Sequence, residues 1–476
     1  MQKCFVGVFG ILLIGALFFA SGAAPPLPAA SSSELENQEK AQEDFKIKVD
    51  VSLVTTDVTV IGQASQNLTA EDFAVFEDGV AQPVSYFSLD QIPLAVGLLI
   101  DASESIRPYL PVLQVAGISA LRRLRPEDQV VLYSFSLNPK RLTDLTADRV
   151  EIAEAISKIE VKYGTAIYDT IVDASNYLSK HAPNYRRALI LISDNYRWEG
   201  RHNANRALYE LLESASTLIN VKTQSIMPYD ATWATSDGEI LNMVNESGGE
   251  VFRVNAPGSL RNALESAILN LRKQYTLGFN PSNPGKTGTF HKLNIKLADE
   301  KRCPGCRLRS RSGYYAGVSA PAAPIRASKP PTRTPEQTDE LLIQRSIFSA
   351  GTVDTEFNDI PFTVQMTQQT GSAEEPQLKI DLQIPFSRIG TKIEGNKRFC
   401  RVRIVVFYSN QKGKILGNDS KIIEGNLSDA TWVQTMVRGI QYSTTIPIKA
   451  EKQLVKVVVY DEGSDRVGTQ TIRLPQ

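Results

Sequence analysis

The run Ala95-Val96-Gly97-Leu98-Leu99-Ile100, followed directly by Asp101-Ala102-Ser103-Glu104-Ser105, is the part of this sequence that decides its fold. An unbroken apolar run of this kind is typical of a parallel strand that is buried on both faces of a sheet. A second run, Ala188 to Ile192, is followed two residues later by Asp194. Strands and helices alternate from residue 92 to residue 272, which predicts a doubly wound α/β domain built on a parallel sheet.

The spacing of apolar residues predicts the individual elements of this domain. The strands are expected at residues 95–100, 129–135, 188–192, 221–226 and 250–254. The helices are expected at residues 110–124, 150–159, 167–178, 207–219, 240–244 and 260–271. Open α/β sheets bind their ligands in the crevice at the carboxyl ends of the strands. We therefore expect the functional residues just after the two apolar runs.

The segments on either side of the α/β domain have the alternating pattern of half-buried strands. Residues 45–91 are β-rich, and Asp78-Gly79 is predicted to be a hairpin turn between strands at 73–76 and 84–87. Residues 273–316 are β-rich again, with strands expected at 275–279, 290–297 and 307–314. The economical interpretation is one β module in two halves, with the α/β domain inserted between them.

The remaining part of the chain divides into a linker and a further domain. Residues 317–344 are rich in Pro, Ala and Ser, which is typical of a linker. Residues 345–476 contain many short strands and little helical periodicity, so we predict a C-terminal β-sandwich.

The first residues have the features of a targeting segment. Lys3 precedes an apolar run from Phe5 to Ala20, and small residues follow it, which predicts a signal peptide over residues 1–23. The alternative is an uncleaved anchor, although the run is short for a membrane span. Residues 24–44 are expected to be a disordered leader. The mature chain is predicted to be exported, as a periplasmic, secreted or cell-surface protein, with no transmembrane span after cleavage.

Composition argues against several classes of function. The 476 residues include 52 Lys and Arg and 52 Asp and Glu, and this balance argues against nucleic-acid binding. Hydrophobic residues make up 42% and charged residues 22%, so the chain is not disordered as a whole. The three histidines (His181, His202 and His291) are far apart in sequence, which argues against a multi-histidine zinc site.

Three cysteines remain after the predicted cleavage. Cys303-Pro304-Gly305-Cys306 is predicted to be a turn disulfide between two strands in an oxidising compartment, and a redox pair is the alternative. Cys400 lies in a different segment and is expected to be buried.

Five oxygen-bearing side chains stand where the predicted sheet would gather them: Asp101, Ser103, Ser105, Thr165 and Asp194. Hydroxyl and carboxylate oxygens suit Mg²⁺, Mn²⁺ or Ca²⁺ and are poor ligands for zinc. A divalent ion held mainly by neutral hydroxyls would keep net positive charge and an open position, so it would attract an external carboxylate. The alternative is structural, with the hydroxyls as helix caps and Asp194 in an Asx-turn.

In this order and at these strand ends, the five residues resemble the metal-ion-dependent adhesion site of von Willebrand factor type A (VWA) domains, over residues 92–272. Residues 68–79 and 311–315 are similar to the VWFA-related family known mainly from acidobacterial genomes. That resemblance implies exported proteins of largely unassigned role. Asn195 departs from the pattern, since glycine often follows this aspartate in such domains. The departure would alter the third loop without removing a ligand.

The sequence therefore predicts an exported interaction protein that binds a divalent ion, Mg²⁺ or else Mn²⁺ or Ca²⁺. Ser103, Ser105 and Thr165 would bind the ion directly, and Asp101 and Asp194 partly through water. An acidic side chain of an unidentified partner protein would complete the coordination. A rim of basic and aromatic residues would favour such a partner: Arg107, Tyr109, Lys162, Tyr163, Tyr196, Arg197, Trp198 and Arg201.

Two alternatives stay open at this point. In the first, the metal is structural and the β modules bind partners, as in a scaffold for envelope assembly or secretion. The second and more remote alternative is a hydrolase, although no G-x-S-x-G, phosphate loop, H-E-x-x-H or dinucleotide pattern is present and nothing positions His181 or His202 beside a serine. We do not expect an enzyme.

Overall fold

A computed structural model of the chain describes residues 53–62, 68–89, 91–197, 200–225, 235–282, 285–317, 333–370, 376–395, 397–448 and 454–474. The predicted signal peptide (1–23) and leader (24–44) lie outside these residues, as do the first residues of the predicted β module and residues 318–332 of the predicted linker. Among the described residues, none of the helices is both long and apolar enough to cross a membrane.

Four strands precede the central domain: β1 (Val54–Ile61), β2 (Phe73–Glu77), β3 (Val80–Gln82) and β4 (Tyr86–Leu89). Asp78 and Gly79 join β2 to β3 with φ angles of 49° and 87°, the left-handed conformation that two-residue hairpin turns require. The predicted turn is therefore present, but its second strand is β3 and not residues 84–87. A two-residue turn pairs the residues that follow it immediately, and β4 joins a different sheet.

Within its described residues, the central domain has six strands and six α-helices. The strands are β5 (Leu94–Asp101), β6 (Gln129–Phe135), β7 (Pro139–Arg141), β8 (Arg186–Ser193), β9 (Ser216–Lys222) and β10 (Val251–Arg253). They form one sheet in the order β10-β9-β8-β5-β6-β7, in which every neighbouring pair is parallel except β6 and β7. The helices are α1 (Leu110–Leu121), α2 (Arg149–Ser157), α3 (Ile167–His181), α4 (Ala204–Glu213), α5 (Asp237–Glu246) and α6 (Leu260–Arg272).

Strand β5 shows why this sheet is covered on both faces. All eight of its residues are buried. Leu94, Val96, Leu98 and Ile100 belong to a core shared with α1, α2 and α6, whereas Ala95 and Leu99 belong to a core shared with α3, α4 and α5. This arrangement confirms the prediction of a doubly wound, mostly parallel sheet.

One helix prediction in this domain is wrong in its second half. The helix expected over 207–219 ends at Glu213, and Ser216 already begins β9. Ala215 has a φ of 47°, a left-handed conformation that stops a helix. The apolar residues Leu218 and Ile219 are buried in the sheet, so their burial there outweighs the helical spacing.

Four more strands follow the central domain: β11 (Tyr275–Phe279), β12 (Phe290–Leu297), β13 (Arg307–Ser310) and β14 (Gly313–Tyr315). They pair with the strands that precede it, in two sheets of order β13-β1-β11-β4 and β14-β12-β2-β3. Val58, Phe73 and Tyr275 lie in the core of these sheets. Cys303 and Cys306 form a disulfide before β13, and the strands on either side of it belong to different sheets.

Helix α7 (Pro335–Thr352) corrects the predicted linker, because residues 335–344 are helical. Thr334 and Gln337 form a reciprocal capping box, and Pro335 occupies the first turn, where a missing N–H is harmless. Leu342 and Ile343 are buried in the same apolar core as α1. The helix therefore packs on the central domain, and the Pro- and Ser-rich composition obscured this apolar stripe.

In the C-terminal part, the residues that the structure describes form eight strands and one further α-helix. The strands are β15 (Thr363–Thr370), β16 (Pro376–Ile384), β17 (Lys392–Glu394), β18 (Lys397–Ser409), β19 (Ile415–Leu427), β20 (Ile440–Pro447), β21 (Leu454–Asp461) and β22 (Arg466–Arg473). They form the sheets β15-β16-β20 and β17-β18-β21-β22, with β19 also on β18, and both sheets contribute to one core that includes the buried Cys400. Helix α8 (Asp429–Arg438) is not anticipated from the sequence.

Candidate metal centre

Two neighbouring parallel strands carry the acidic residues of the site. Asp101 is the last residue of β5, and Asp194 directly follows the last residue of β8. These strands lie side by side at the centre of the sheet, where the chain leaves β5 for β6 on one side while β8 lies on the other. This is the topological switch point of the sheet, and ligand crevices open at such points.

Asp101 is fully buried and is held by two hydrogen bonds. Its Oδ1 accepts the backbone N–H of Ser103 at 2.9 Å, and its Oδ2 accepts the hydroxyl of Ser193 at 2.6 Å. The hydroxyl oxygens of Ser103 and Ser105 are 3.0 Å apart. The loop after β5 therefore places one carboxylate and two hydroxyls together, all with little exposure to solvent.

Asp194 is 1% exposed and only half of its carboxylate is satisfied. Oδ1 accepts the N–H of Tyr196 at 3.1 Å, whereas Oδ2 is buried without a hydrogen-bond partner among the described residues. Buried carboxylate oxygens without a partner are expensive in free energy. Such an atom points to a ligand that the protein itself does not supply.

Thr165 reaches the same region on a third loop. The backbone N–H of Lys162 donates to the carbonyl of Ala102 at 2.7 Å, so this loop lies against the loop that bears Ser103. Gly164 has a φ of 89°, and a Cβ at this position would lie 2.5 Å from a methyl carbon of Leu137. Only glycine fits both constraints, and it allows the buried Thr165 to stand directly before α3.

Asn195 explains the departure from the family pattern. Its φ of 63° is in the left-handed region, which glycine adopts freely and asparagine tolerates better than other residues. Its side-chain amide donates to Asn220 and to Asp237, each at 3.0 Å. Asn195 therefore adds hydrogen bonds that hold the loop after β8, and Asp194 keeps its place.

Burial is the main electrostatic feature of the site. It raises the pKa of Asp101, and the nearby charge of Asp194 raises it further. Burial also raises the pKa of Asp194, against the opposing effects of the Ser105 hydroxyl and the Tyr196 N–H. Neither carboxylate has a Lys or Arg salt-bridge partner within the described part of the chain. The site thus holds two buried carboxyl groups, and among the described residues no Lys or Arg forms an ion pair with either of them.

These donors fit a hard divalent cation. Two carboxylates and three hydroxyls are oxygen ligands of the type that Mg²⁺, Mn²⁺ and Ca²⁺ prefer, and the unpartnered Oδ2 of Asp194 would gain a partner. The described residues contain no cluster of three or more His, Cys, Asp and Glu side chains, so a site of the usual zinc type is not found among them.

The predicted rim is only partly at the surface. Lys162 and Tyr163 are exposed, and Arg107 is exposed but paired with Glu104 at 2.7 Å. Tyr109 is 3% exposed and packs in the core of α1, so its inclusion in the rim is wrong. Trp198 lies outside the described residues.

Sequence reasoning missed two residues that position the site. Ser193 bridges the loops, since its hydroxyl binds Asp101 and also accepts the N–H of Asn195 at 3.0 Å. Asp169, in the first turn of α3, accepts the N–H groups of Arg201 and His202 at 3.0 and 2.8 Å and so ties the loop after Asp194 to the helix after Thr165. Ser193 could have been noticed as a polar residue that ends an apolar strand.

A comparison with protein families bears on the central domain. A family model described as the von Willebrand factor type A domain matches residues 96–197, a range that contains all five site residues. No curated protein matches the sequence. The fold also resembles several solved structures, of which three are representative.

The conserved hypothetical protein BatB from Bacteroides thetaiotaomicron is 19% identical and shares 38% of this chain and 99% of its own, with a TM-score of 0.32. A von Willebrand factor type A protein from Catenulispora acidiphila is 12% identical over 63% of this chain and 80% of its own, with a TM-score of 0.34. Proximal thread matrix protein 1 from the mussel byssus, with a zinc-occupied adhesion motif, is 14% identical over 40% of this chain and 48% of its own, with a TM-score of 0.34. The family model thus identifies residues 96–197 of this chain as similar to a von Willebrand factor type A domain.

Proposed function

We propose that this protein is an exported interaction protein whose adhesion site binds a divalent ion and then a carboxylate of a partner protein. The observation that carries the proposal is the buried Oδ2 of Asp194, which has no hydrogen-bond partner in the described structure and lies beside a second buried carboxylate. VWA domains are a protein-interaction and adhesion fold, which supports the same function. Mg²⁺ is the expected ion, with Mn²⁺ or Ca²⁺ as substitutes.

The ion would be held by the hydroxyls of Ser103, Ser105 and Thr165, with Asp101 and Asp194 partly through water. The ion supplies a positive centre with an open position, and an acidic side chain of the partner would fill that position. Because its direct ligands would be mainly neutral hydroxyls, the bound ion would remain attractive to a further carboxylate. A metal ligand set completed by the partner makes the interaction dependent on both metal and charge.

Metal binding is tested by melting the mature protein in EDTA and then in millimolar Mg²⁺, Mn²⁺, Ca²⁺ or Zn²⁺. An ion that binds only the folded state at 100 times its dissociation constant adds about 2.7 kcal/mol, which raises the melting temperature by a few degrees. The Ser103→Ala, Ser105→Ala double variant should lose this shift. Ser175→Ala is the matched control, because it removes a hydroxyl from α3 that is just as buried. A wild-type protein that no ion stabilises would contradict the proposal.

The carboxylate step is tested with a fluorescent peptide that contains a single aspartate. Wild-type protein should bind it with Mg²⁺ and release it in EDTA, and Thr165→Ala should weaken both metal and peptide binding. If Thr165→Ala loses metal affinity while peptide binding is unchanged, the adhesion mechanism is wrong. That result would favour a second candidate, a scaffold in envelope assembly or secretion whose metal is structural.

The second candidate has one observation of its own. Helix α8 contains no buried residue, and Val433 and Val437 on it are 62% and 85% exposed. Exposed apolar side chains on an amphipathic helix often mark a contact surface. A Val433→Ser, Val437→Ser variant that loses partner binding while the metal site stays intact would assign binding to the C-terminal part.

A further inference from the structure

A polar cavity of about 500 Å³ opens directly beside the metal site. It lies at the carboxyl ends of β9 and β10, and Asp194 forms part of its wall. The site and the cavity are therefore continuous, so a molecule that reaches a metal at Asp194 can also enter the cavity. The described lining residues come from four separate segments, so no local pattern in the sequence predicts this cavity.

The floor of the cavity contains a second unsatisfied oxygen. Thr223 is 1% exposed, and its backbone N–H donates to the carbonyl of Ser193 at 3.0 Å, which fixes the residue next to the site. Its Oγ1 has no hydrogen-bond partner among the described residues, although the residue lines the cavity. A buried hydroxyl without a partner is rare, and it provides a donor for whatever occupies the space.

The charges around the cavity favour an anion. Its lining contains two cations, Lys222 and Arg253, and two anions, Asp194 and Asp237. Lys222 is paired with Asp237, whose other oxygen accepts the amide of Asn195. Arg253 is exposed and has no salt-bridge partner in the described part of the chain. With a divalent ion at Asp194, the lining therefore carries net positive charge. Arg253 is the cation of this lining that forms no ion pair with the described residues.

We propose that this cavity is a second acidic subsite, in which Arg253 binds a second carboxylate of the same partner segment. This inference rests on the proposed function, because the first carboxylate binds the metal. Arg253 would form a charge-assisted pair with the second carboxylate, and the Thr223 hydroxyl would donate to it. The partner would then present two acidic residues close together in an exposed segment. A single carboxylate would bind through the metal alone and more weakly.

The test uses the mature protein with saturating Mn²⁺ and three labelled peptides of equal length that contain no aspartate, one aspartate or two neighbouring aspartates. We expect wild-type protein to bind the two-aspartate peptide about tenfold more tightly than the one-aspartate peptide. Arg253→Gln should remove this preference and leave the one-aspartate affinity within about twofold, and Arg253→Lys should restore part of it. Lys180→Gln is the matched control, since Lys180 is an exposed cation in the last turn of α3 and should leave the preference unchanged.

The outcomes separate this inference from the proposed function. If metal-loaded wild-type protein binds neither acidic peptide, the proposed function fails. If it binds both equally, or if Arg253→Gln keeps the preference, only the second subsite is wrong. Mn²⁺ affinity, measured without peptide, should be the same in Arg253→Gln and wild type, and a loss of Mn²⁺ affinity would overturn the role given to Arg253. Free glutarate that displaces the two-aspartate peptide at equal concentration would assign the cavity to small dicarboxylates and overturn the assignment to a protein segment.

Discussion

At the scale of single residues, Asp101 and Asp194 have the least favourable electrostatic environment in the candidate site. Both are buried, both have a raised pKa because burial disfavours the charged form, and their contacts are neutral donors such as the Ser193 hydroxyl and the Tyr196 N–H. A pair of this kind destabilises the folded state unless a cation joins it. The residues that would bind the metal are thus the ones that weaken the metal-free protein.

This argument predicts that Asp194→Asn stabilises the protein in EDTA. The side chain loses its charge but keeps an oxygen that can accept the Tyr196 N–H, so the melting temperature should rise by a few degrees, equivalent to about 1–2 kcal/mol. Mg²⁺ should add nothing further to this variant. Asp237→Asn is the control and should lower the melting temperature with or without metal, because it breaks the pair with Lys222. An Asp194→Asn protein that melts below wild type in EDTA would contradict the argument.

At the scale of elements, helix α7 connects the central domain to the C-terminal part. Leu342, Ile343 and Ile347 are buried in a core that includes Leu113 of α1 and Val458 of β21. Helix α1 itself begins just after the loop that carries Ser103 and Ser105. The helix next to the site is therefore packed on its outer side by α7 and is not exposed to solvent there.

Shortening a buried side chain of α7 should lower the free energy of unfolding. Ile343→Ala removes a side chain that is 1% exposed and should lower the free energy of unfolding by about 2–5 kcal/mol. Phe348→Ala on the same helix is the control, since Phe348 is 55% exposed and should cost about 1 kcal/mol or less. Urea unfolding of both variants checks the difference. Equal destabilisation by the two would mean that α7 is not packed as described.

At the scale of the whole molecule, ion pairs add to the interface that α1 and α7 form with the C-terminal strands. Asp465, before β22, contacts Arg122 and Arg123 at the end of α1 and accepts the hydroxyl of Tyr460. Asp339 of α7 also pairs with Arg122. Asp465 is only 2% exposed and Arg122 is 12% exposed, so the pair between them lies in a largely dehydrated environment.

Asp465→Asn should therefore destabilise the protein strongly. The two arginines would remain near the interface without their buried partner, and breaking a buried pair in this way costs about 3–5 kcal/mol. Asp381→Asn is the control, because its pair with Lys379 is exposed and should contribute little. Differential scanning calorimetry distinguishes a single lowered transition from separate unfolding of the C-terminal part. A melting temperature unchanged by Asp465→Asn would refute this account of the interface.

The same interface should make stability depend on pH. The guanidinium of Arg403 donates to Glu340 and lowers the pKa of that carboxyl from 4.5 to about 2. A lowered folded-state pKa stabilises the protein above the unfolded value, and this contribution is lost as the pH falls from about 4.5 towards 2. Glu340→Gln should reduce stability at pH 7 and show a smaller further loss between pH 5 and pH 3. Urea unfolding at these pH values measures the change in stability. Glu394 is an exposed residue of β17, and the control variant Glu394→Gln should keep the wild-type pH profile of stability.

Local sequence patterns were sufficient to predict the buried strands at the centre of the molecule. The apolar run that became β5 is buried on both faces, and the oxygen-bearing residues after β5 and β8 lie together. The same patterns failed where a contact distant in sequence decides the outcome. Residues 217–219 joined β9 against their helical spacing, and residues 335–344 became helical because a core from α1 and β21 receives them.

The sequence by itself determined the parallel sheet, the two strand ends and the set of hard oxygen donors, because burial and chain direction at a strand end follow from neighbouring residues alone. The tertiary structure decided which strands before and after the central domain share a sheet, and how α7 and Asp465 hold the C-terminal part. It also decided that Arg253 and Thr223 stand beside Asp194 in one cavity. The reason is physical: these pairings join residues far apart in the chain, and their energies exist only once the folded chain has brought them into contact and excluded water.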